Sequence, residues 1–591
     1  MSASNSIHEK TDSGGNLKHN LKQDFKSPGV PILRTDSFLD EEAVRLTWRS
    51  WMVVFISCFA IFSQVFVVTA AGSVIAFIIR DLGQPAIAGW IIQGPLLMQS
   101  VLSPVIGRLS DVLDRKYLAG LPPLIAFAGA VMSAKAESMA ILIGGGVLIG
   151  TTLSTIAIVQ AIPSEILPLK YRALANGYAF IAGSLGGLVG VLGSGGVTNL
   201  NPSGWRNIFW MQAAFHGMTA AGLLGFYWPP PSNYPSLTFR QLVWACDPIG
   251  SLLMTAGTTL LLLAFDWAGG TFPWHDPHVI GPLVTGAVLL VFFGFYEWKG
   301  RTDGLVSHVF FARGPNFALS LVAFAVEGFV FYSAVNSVVP QMVLNLGFET
   351  NAWRISVRQL SYNIFILVTS IPVTLYATKY KDLKSPLLVT FSFFLVVSIC
   401  YATITPELNH AQIGYNVLTG IGQSGPLTLI VALTQFTAPH QFLSTATGLA
   451  FSARAIGGAF GSAILDAIIN NKLASYNADV GAAAVAAGLP SSAVPAFLQA
   501  LAGGMPSTVP GASDAVIAAA TAASHTVYAR AYRSAWIPVI PFVVVGMVCI
   551  ACLKGVKELM TEHVEATVER VGGRGEVGAD SEKEKTSGGT N

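Results

Sequence analysis

Two charged residues stand in segments that otherwise carry none. Glu327 lies in LVAFAVEGFVFYSAVN and Arg454 in GLAFSARAIGGAFG. An ionisable side chain deep in an apolar segment is costly to keep there and marks a functional site by default. A carboxyl group in a low-dielectric cavity is pushed toward its neutral form and can carry a proton. Glu327 is therefore the candidate coupling carboxylate, with Arg454 as its partner or as a substrate contact. Both sit about eleven positions into their segments, at matching depth. The alternative is a purely structural pair, or charges in a solvated vestibule. Polar side chains in other apolar segments are candidates to line a substrate cavity: Gln93, Gln99, Gln160, His216, Arg358, Asn363 and Gln423. Each could equally be a hydrogen bond between helices. HExxH, the nucleophile elbow and the phosphate loop are missing, and GSLGG and GIGQSG follow no strand. No enzyme, metal site or cofactor is expected.

A second group is GRLSDVLDRKYLAG, Gly107 to Gly120, set between two long uncharged runs. Gly107 lets two helices approach closely. Asp111 is an anion suited to the positive end of a helix. Arg115 can pair with Asp111 and with Glu165, and Lys116 adds a further base.

The elements that must position these residues follow from composition. The chain has 591 residues, 52% hydrophobic and 11% charged, with net charge +2 and mean hydropathy +0.58. Soluble domains carry about 25% charged residues, so an integral membrane protein is expected, with lipid as its surroundings and no nucleic-acid partner. Spans of about 20 apolar residues are expected at 50–76, 87–106, 117–135, 139–161, 173–195, 206–228, 247–267, 279–297, 316–338, 357–378, 385–404, 412–435, 443–469 and 535–553, about fourteen in all. Residues 1–46 and 554–591 read as polar cytosolic tails, the first without the apolar core of a signal peptide. Arg108, Arg115, Lys116, Lys170, Arg172, Arg240, Lys299, Arg301, Arg313, Lys379, Lys381 and Lys384 fall in loops on one side. That bias places both termini in the cytosol. Trp48, Trp51, Trp90, Trp205, Trp210, Trp228, Trp267, Trp274, Trp298 and Trp353 fall near span ends, as interface anchors. Cys58, Cys246, Cys400, Cys549 and Cys552 have no framework spacing and read as buried thiols. Residues 471–534 are expected to be a partly helical extracellular loop, with SDAVIAAATAASHTVYARAYR too weakly apolar to span.

The Gly107 loop resembles the signature loop of the major facilitator superfamily: Gly107, Leu109, Ser110, Asp111, Arg115 and Lys116 match. Val112 stands in place of a base and Asp114 in place of a glycine. PSEILPLKYRALANG and GWRNIFWMQAAFHG resemble the loop after helix four and the start of helix six of fourteen-span drug:proton antiporters. Over about residues 45–560 the chain is similar to the fungal trichothecene efflux pump family, which borders the siderophore-iron transporters. GYAFIAGSLGGLVGVLGSGG resembles the antiporter motif of helix five without its proline, and Gly183, Gly186, Gly187 and Gly190 would form a packing pivot. Gly146 stands where many proton antiporters carry arginine. YATKYKDLKSPLL sits where the second bundle would repeat the signature loop, keeping Asp382 but not the glycines.

The resemblance implies an all-α membrane fold, with a first six-helix bundle at 47–230, two extra helices at 231–313 and a second bundle at 314–553. It implies alternating access driven by protons, in a monomer of the plasma membrane. Asp111 would meet the start of the thirteenth span near Phe442–Thr447, and with Arg115 and Glu165 latch the cytosolic side closed. The expected activity is export of a small organic compound such as a toxin, secondary metabolite or drug. Uptake of ferric siderophores and a transporter-like nutrient sensor are the alternatives, since this fold supports transport in either direction.

Overall fold

A computed structural model describes residues 48–560, apart from 74–77, 79–80, 83–89, 114, 199–202, 229–237, 269–271, 313, 350–351 and 503–504. The expected N-terminal tail, residues 561–591, Asp114 and the side chain of Gln93 lie outside the described residues, whereas 554–560, expected to belong to the second tail, pack on the second bundle through Lys554 to Asn316 and the buried Val556 and Met560. Within them the backbone is helical, with a single isolated bridge between Ala268 and Phe272 in place of any sheet. That is the outcome a bilayer dictates, because a helix satisfies its own N–H and C=O groups where water is absent.

The first bundle comprises α1 (Trp48–Ser73), α2 (Trp90–Val112), α3 (Arg115–Ala134), α4 (Met139–Leu153), α5 (Ile156–Ile166), α6 (Arg172–Thr198) and α7 (Arg206–Phe226). A short helix, α8 (Phe239–Ala245), leads into the linking pair α9 (Pro248–Trp267) and α10 (Pro277–Phe295). The second bundle begins with α11 (Asn316–Gly328), continues through a π-helical stretch, Phe329–Val338, and finishes that span with α12 (Val339–Asn345). It goes on with α13 (Ala352–Tyr380), α14 (Lys384–Tyr401), α15 (Asn409–Gln423), α16 (Pro426–Thr437) and α17 (Leu443–Leu473). The last elements are α18 (Tyr476–Ala486), α19 (Val494–Ala502), α20 (Asp514–Trp536) and α21 (Val539–Ala551).

Twelve helical segments among the described residues are long and apolar enough to cross a membrane. The fourteen expected spans are not all among them. The two that fall short, α2 and α7, have 23 and 21 residues. Gln212 and His216 lower the hydropathy of α7, and within α2 the side chains of Ile92 and Gln93 lie outside the described residues. The 471–534 region is more ordered than a partly helical loop. Its helices bury Val480, Ala484, Leu489, Phe497, Val516 and Ala520 in a small core of their own. The helix expected to stop short of the last span instead runs to Trp536 and meets α21, so that Asp514–Ala551 forms one long apolar segment.

Packing sorts the helices into two bundles and a linking pair. Within the first bundle α1 packs on α6 and α3 on α7. Between bundles, α2 lies along α17 and α6 along α13. The linking helices pack on each other, and α9 also touches both α2 and α17. Trp205 is not an interface anchor: it is fully buried, and its indole N–H donates to Asp81 at 2.9 Å. Arg206 also binds Asp81, and these two donors hold the exposed carboxyl below its ordinary value. The cysteines are half-buried except Cys552, which is exposed. They line helix flanks and do not fill the core.

Where α2 crosses α17 the two backbones touch. A Cβ on Gly107 would stand 2.5 Å from the Ser444 carbonyl oxygen, and one on Gly448 2.5 Å from that of Ser103. Gly448→Ala should therefore push the helices apart, at a cost of about 1–3 kcal/mol. The check is a lowered thermal midpoint of the purified protein in detergent.

Candidate functional site

The polar residues gather in two places. The first is the seam between α2 and α17. An α-helix leaves its first N–H groups without partners and carries partial positive charge at that end. α17 begins at Leu443, and Asp111, at the last turn of α2, takes up those donors. Its Oδ1 accepts from the Ser444 N–H at 3.2 Å. Its Oδ2 accepts from the Thr445 N–H and hydroxyl, both at 2.7 Å. Arg115 Nη2 donates to Asp111 at 2.7 Å, and Arg115 Nη1 binds Glu165 at the end of α5. These acids are buried, so the pairing differs in kind from an exposed salt bridge worth about 0–1 kcal/mol. Lys116 lies over the Trp228 ring, and Leu109 is half-buried on the outer face of α2.

The same end of the molecule carries a second seam that sequence reasoning did not find. Arg172 Nη1 donates to the Gln435 carbonyl at 3.0 Å, and Asn176 Nδ2 to Gln435 Oε1 at 2.9 Å. Gln160 donates to Asn176 Oδ1 at 2.6 Å, and Gln435 to Thr447 Oγ1 at 3.4 Å. Gln160 is thus bound into the seam and does not face an open cavity. Ser452 Oγ donates to the Ser100 carbonyl at 2.8 Å, closing α17 on α2 further along. The available signal was the run of amides and hydroxyls in otherwise apolar segments, but nothing in the sequence says which of them meet.

The second place is the interior of the second bundle. Glu327 is fully buried and Arg454 is 5% exposed. Arg454 grips the carboxylate with both arms, Nε to Oε2 at 2.5 Å and Nη2 to Oε1 at 3.0 Å. Gln423 donates to Oε1 at 2.5 Å, and Arg454 Nη1 donates to the Tyr332 hydroxyl at 2.7 Å. The guanidinium also lies 4.6 Å from the ring centres of Phe331 and Tyr332. Desolvation of such a pair is offset only when geometry is good and the remaining lone pairs are satisfied, as they are on this carboxylate. The π-helical stretch opens two residues after Glu327. π-helical turns re-aim side chains and recur at functional sites. They bring Tyr332 onto Arg454 here.

The other candidates disperse. Arg358 is held by Gln412 at 2.6 Å, Asn409 at 2.6 Å and Glu349 at 3.1 Å, which knits α13 to α15. Asn363 is half-buried and donates to the Gln359 carbonyl one turn back on its own helix. Gln99 is 9% exposed on α2. His216 is buried on α7 with Gln212 one turn before it, and neither side chain has a hydrogen-bond partner among the described residues. Gly183, Gly186, Gly187 and Gly190 all face α1, against Ile61, Phe62, Val65 and Thr69. They pack the first bundle on itself. The inter-bundle contact of α6 is instead at Gly177, against Thr374. Asp382 caps its own helix, accepting from Lys384 N–H at 2.9 Å and Ser385 N–H at 3.2 Å. It reaches no helix end across the seam.

Asp111→Ala strips the acceptor from two helix-terminal N–H groups and leaves Arg115 with one acid fewer. The closed seam should weaken by about 3–5 kcal/mol. Thiol labelling of a cysteine placed at Ser452 should accelerate accordingly, with the protein still folded in the membrane.

The family model of the Major Facilitator Superfamily matches residues 57–462. The chain is 27% identical to the MFS-type transporter prx5 of Penicillium rubens, over 91% of this chain and 96% of that one. It is 22% identical to the trichothecene efflux pump TRI12 of Fusarium sporotrichioides, covering 86% and 87%. It is 25% identical to the acurin A biosynthesis cluster MFS-type transporter of Aspergillus aculeatus, covering 73% and 77%. A crystal structure of the human organic anion transporter MFSD10 (TETRAN) aligns with a TM-score of 0.47 at 12% identity, over 84% of this chain and 99% of that one. With a helical architecture of two bundles and the family model matched across most of it, this multi-pass chain belongs to the major facilitator superfamily and is a transporter.

Proposed function

We propose that the protein exports a small organic compound, of the secondary-metabolite or toxin class, in exchange for protons. The observation that carries the coupling is the Glu327–Arg454 pair: a fully buried carboxylate whose charge is held by one arginine and one amide. Protonation would neutralise Glu327 and release the guanidinium, so the protonation state of this carboxyl group controls which groups face the cavity. The export assignment rests on relatives named as an efflux pump and as a biosynthesis-cluster transporter. In this reading α2 and α7 also span, which makes fourteen crossings. The lysines and arginines gathered on the signature-loop side place it and both termini in the cytosol. The protein works as a monomer in the plasma membrane, and the Asp111 seam is its inner gate.

Two experiments test this. Deletion in the host should lower tolerance to an exported compound and leave growth on ferric siderophores under iron starvation intact; the reverse pattern assigns uptake. In proteoliposomes Glu327→Gln should abolish gradient-driven transport while substrate exchange without a gradient persists. Full gradient-driven transport by that variant removes Glu327 from the coupling role.

A further inference from the structure

The linking helices are tied into the gate by residues outside the matched motif positions. Arg108, second in the signature loop, is 2% exposed. Its Nε donates to the Ala245 carbonyl at 3.0 Å and its Nη2 to the Asp303 carbonyl at 2.9 Å. Ala245 ends α8, just before α9, and Asp303 follows α10. The same guanidinium lies 4.7 Å from the Phe442 ring, next to the first residue of α17. One side chain thus joins the first bundle, the linking pair and the gate helix of the second bundle.

Behind those two carbonyls lies a buried acid pair. Asp247 caps α9 with a left-handed backbone, φ 51°, and has no exposure. Glu297, in the π-helical turn that ends α10, is 4% exposed. The two carboxyl groups converge on the same stretch of backbone, Gly304 to Leu305. The Leu305 N–H lies 3.0 Å from Asp247 Oδ2 and 3.2 Å from Glu297 Oε1. Carboxylates are acceptors only, so two of them crowded on one N–H repel when both are ionised, and a shared proton removes that repulsion.

The groups facing the pair are backbone and hydroxyl donors and one arginine. Gly250 N–H donates to Asp247 at 3.1 Å, the Tyr296 hydroxyl at 3.3 Å, and Val306 N–H to Glu297 at 3.0 Å. Arg301 Nη1 lies 3.6 Å from Asp247, and Arg301 Nε donates to the Asp303 carboxylate at 2.9 Å. The His308 ring meets the Glu297 backbone carbonyl at 3.1 Å, and the Cys246 thiol stands beside Arg108 and Arg301. Arg301 is 6% exposed, yet neither Nη atom has a hydrogen-bond partner among the described residues. The buried acids Asp247 and Glu297 are set against the buried bases Arg108 and Arg301, and the Asp303 carboxylate on Arg301 is exposed to solvent. Interacting carboxyl groups of this kind titrate as a unit.

We propose that Asp247 and Glu297 form a proton-binding site on the linking helices, and that its proton keeps the Arg108 anchor, and with it the inner gate, closed. Loss of the proton sets two anions against each other and drives the ends of α9 and α10 apart. The Ala245 and Asp303 carbonyls, two residues from Asp247 and six from Glu297, move with those ends, and Arg108 loses its hold. The closed gate is therefore favoured at acid pH and weakens as pH rises through the titration of the pair. This site is separate from Glu327, and its effect is on the gate whatever the direction of transport.

The test is hydrogen exchange of the full chain in lipid nanodiscs, followed on the peptide carrying the Ser444 and Thr445 N–H groups. After correction for the intrinsic pH dependence of exchange, opening in the wild type should rise with pH by up to about tenfold per unit, the limit for one linked proton. In Glu297→Gln the amide can donate to Asp247 without a titrating proton, so exchange should stay slow and independent of pH. Asp247→Asn, which suits a left-handed backbone, should also lose the slope and serves if Glu297→Gln does not fold. Glu327→Gln should retain it. A wild type without slope, or a slope unchanged in Glu297→Gln or Asp247→Asn, overturns the proposal. So does a slope that disappears in Glu327→Gln, which would assign the response to the central pair.

Discussion

A charge withdrawn from water has to be paired, and in this protein the pairs are what join the helices. Bilayer surroundings offer no hydrophobic drive for one apolar helix to choose another. Close packing at small residues and polar contacts must make the choice instead. Asp111 illustrates both parts of that rule. Its carboxylate is satisfied by the first N–H groups of α17, and that contact is possible only because Gly107 and Gly448 let the two backbones meet. The electrostatic end-cap and the steric permission are one device.

The two buried ion pairs are built differently, and the difference matches the work proposed for each. At the proposed gate, one acid is divided between a base on its own bundle and a helix end on the other, so opening would leave Asp111 with Arg115 and expose the α17 terminus to water. Neither partner is stranded in an apolar medium, which keeps the open state accessible. In the centre, Glu327 and Arg454 belong to one bundle and stay together when the bundles separate. In the proposed coupling what changes there is protonation, in a carboxylate held by two arginine nitrogens and one amide. Rings of Phe331 and Tyr332 beside the guanidinium keep water from screening the pair.

Between these stands the linking pair. α10 is largely exposed on its outer face, as in Val284, Val291, Phe292 and Phe295, and faces lipid there. α9 fills the angle between α2 and α17. The charged ends of the two helices fold inward, and Arg108 reaches them. A base that topology alone would keep at the membrane surface is thereby buried and used.

How much of this was legible in the sequence depends on how local the information is. Composition and span-length runs dictate a helical membrane protein, since a chain with so few charges can bury its backbone polar groups only within helices. The meeting of Glu327 and Arg454 was legible because position along a span reports depth, and an ionised group at depth requires a partner. Asp111, Arg115 and Glu165 were legible because their offsets resemble those of a known loop. Register and rotation between helices distant in sequence were not. No local pattern says that Asn176 finds Gln435, that the glycines of α6 turn toward α1, or that Arg358 is consumed by Gln412 and Asn409. Arg108 reads in the sequence as a topology signal, and nothing there singles out Asp247 or Glu297; folding brings the three to the same region. The sequence by itself determined which residues must be buried and at what depth, because hydration free energy is a property of the residue and its span. Tertiary structure decided who faces whom, because that depends on how helices are rotated and crossed, and small-residue contacts far apart in the chain set those angles.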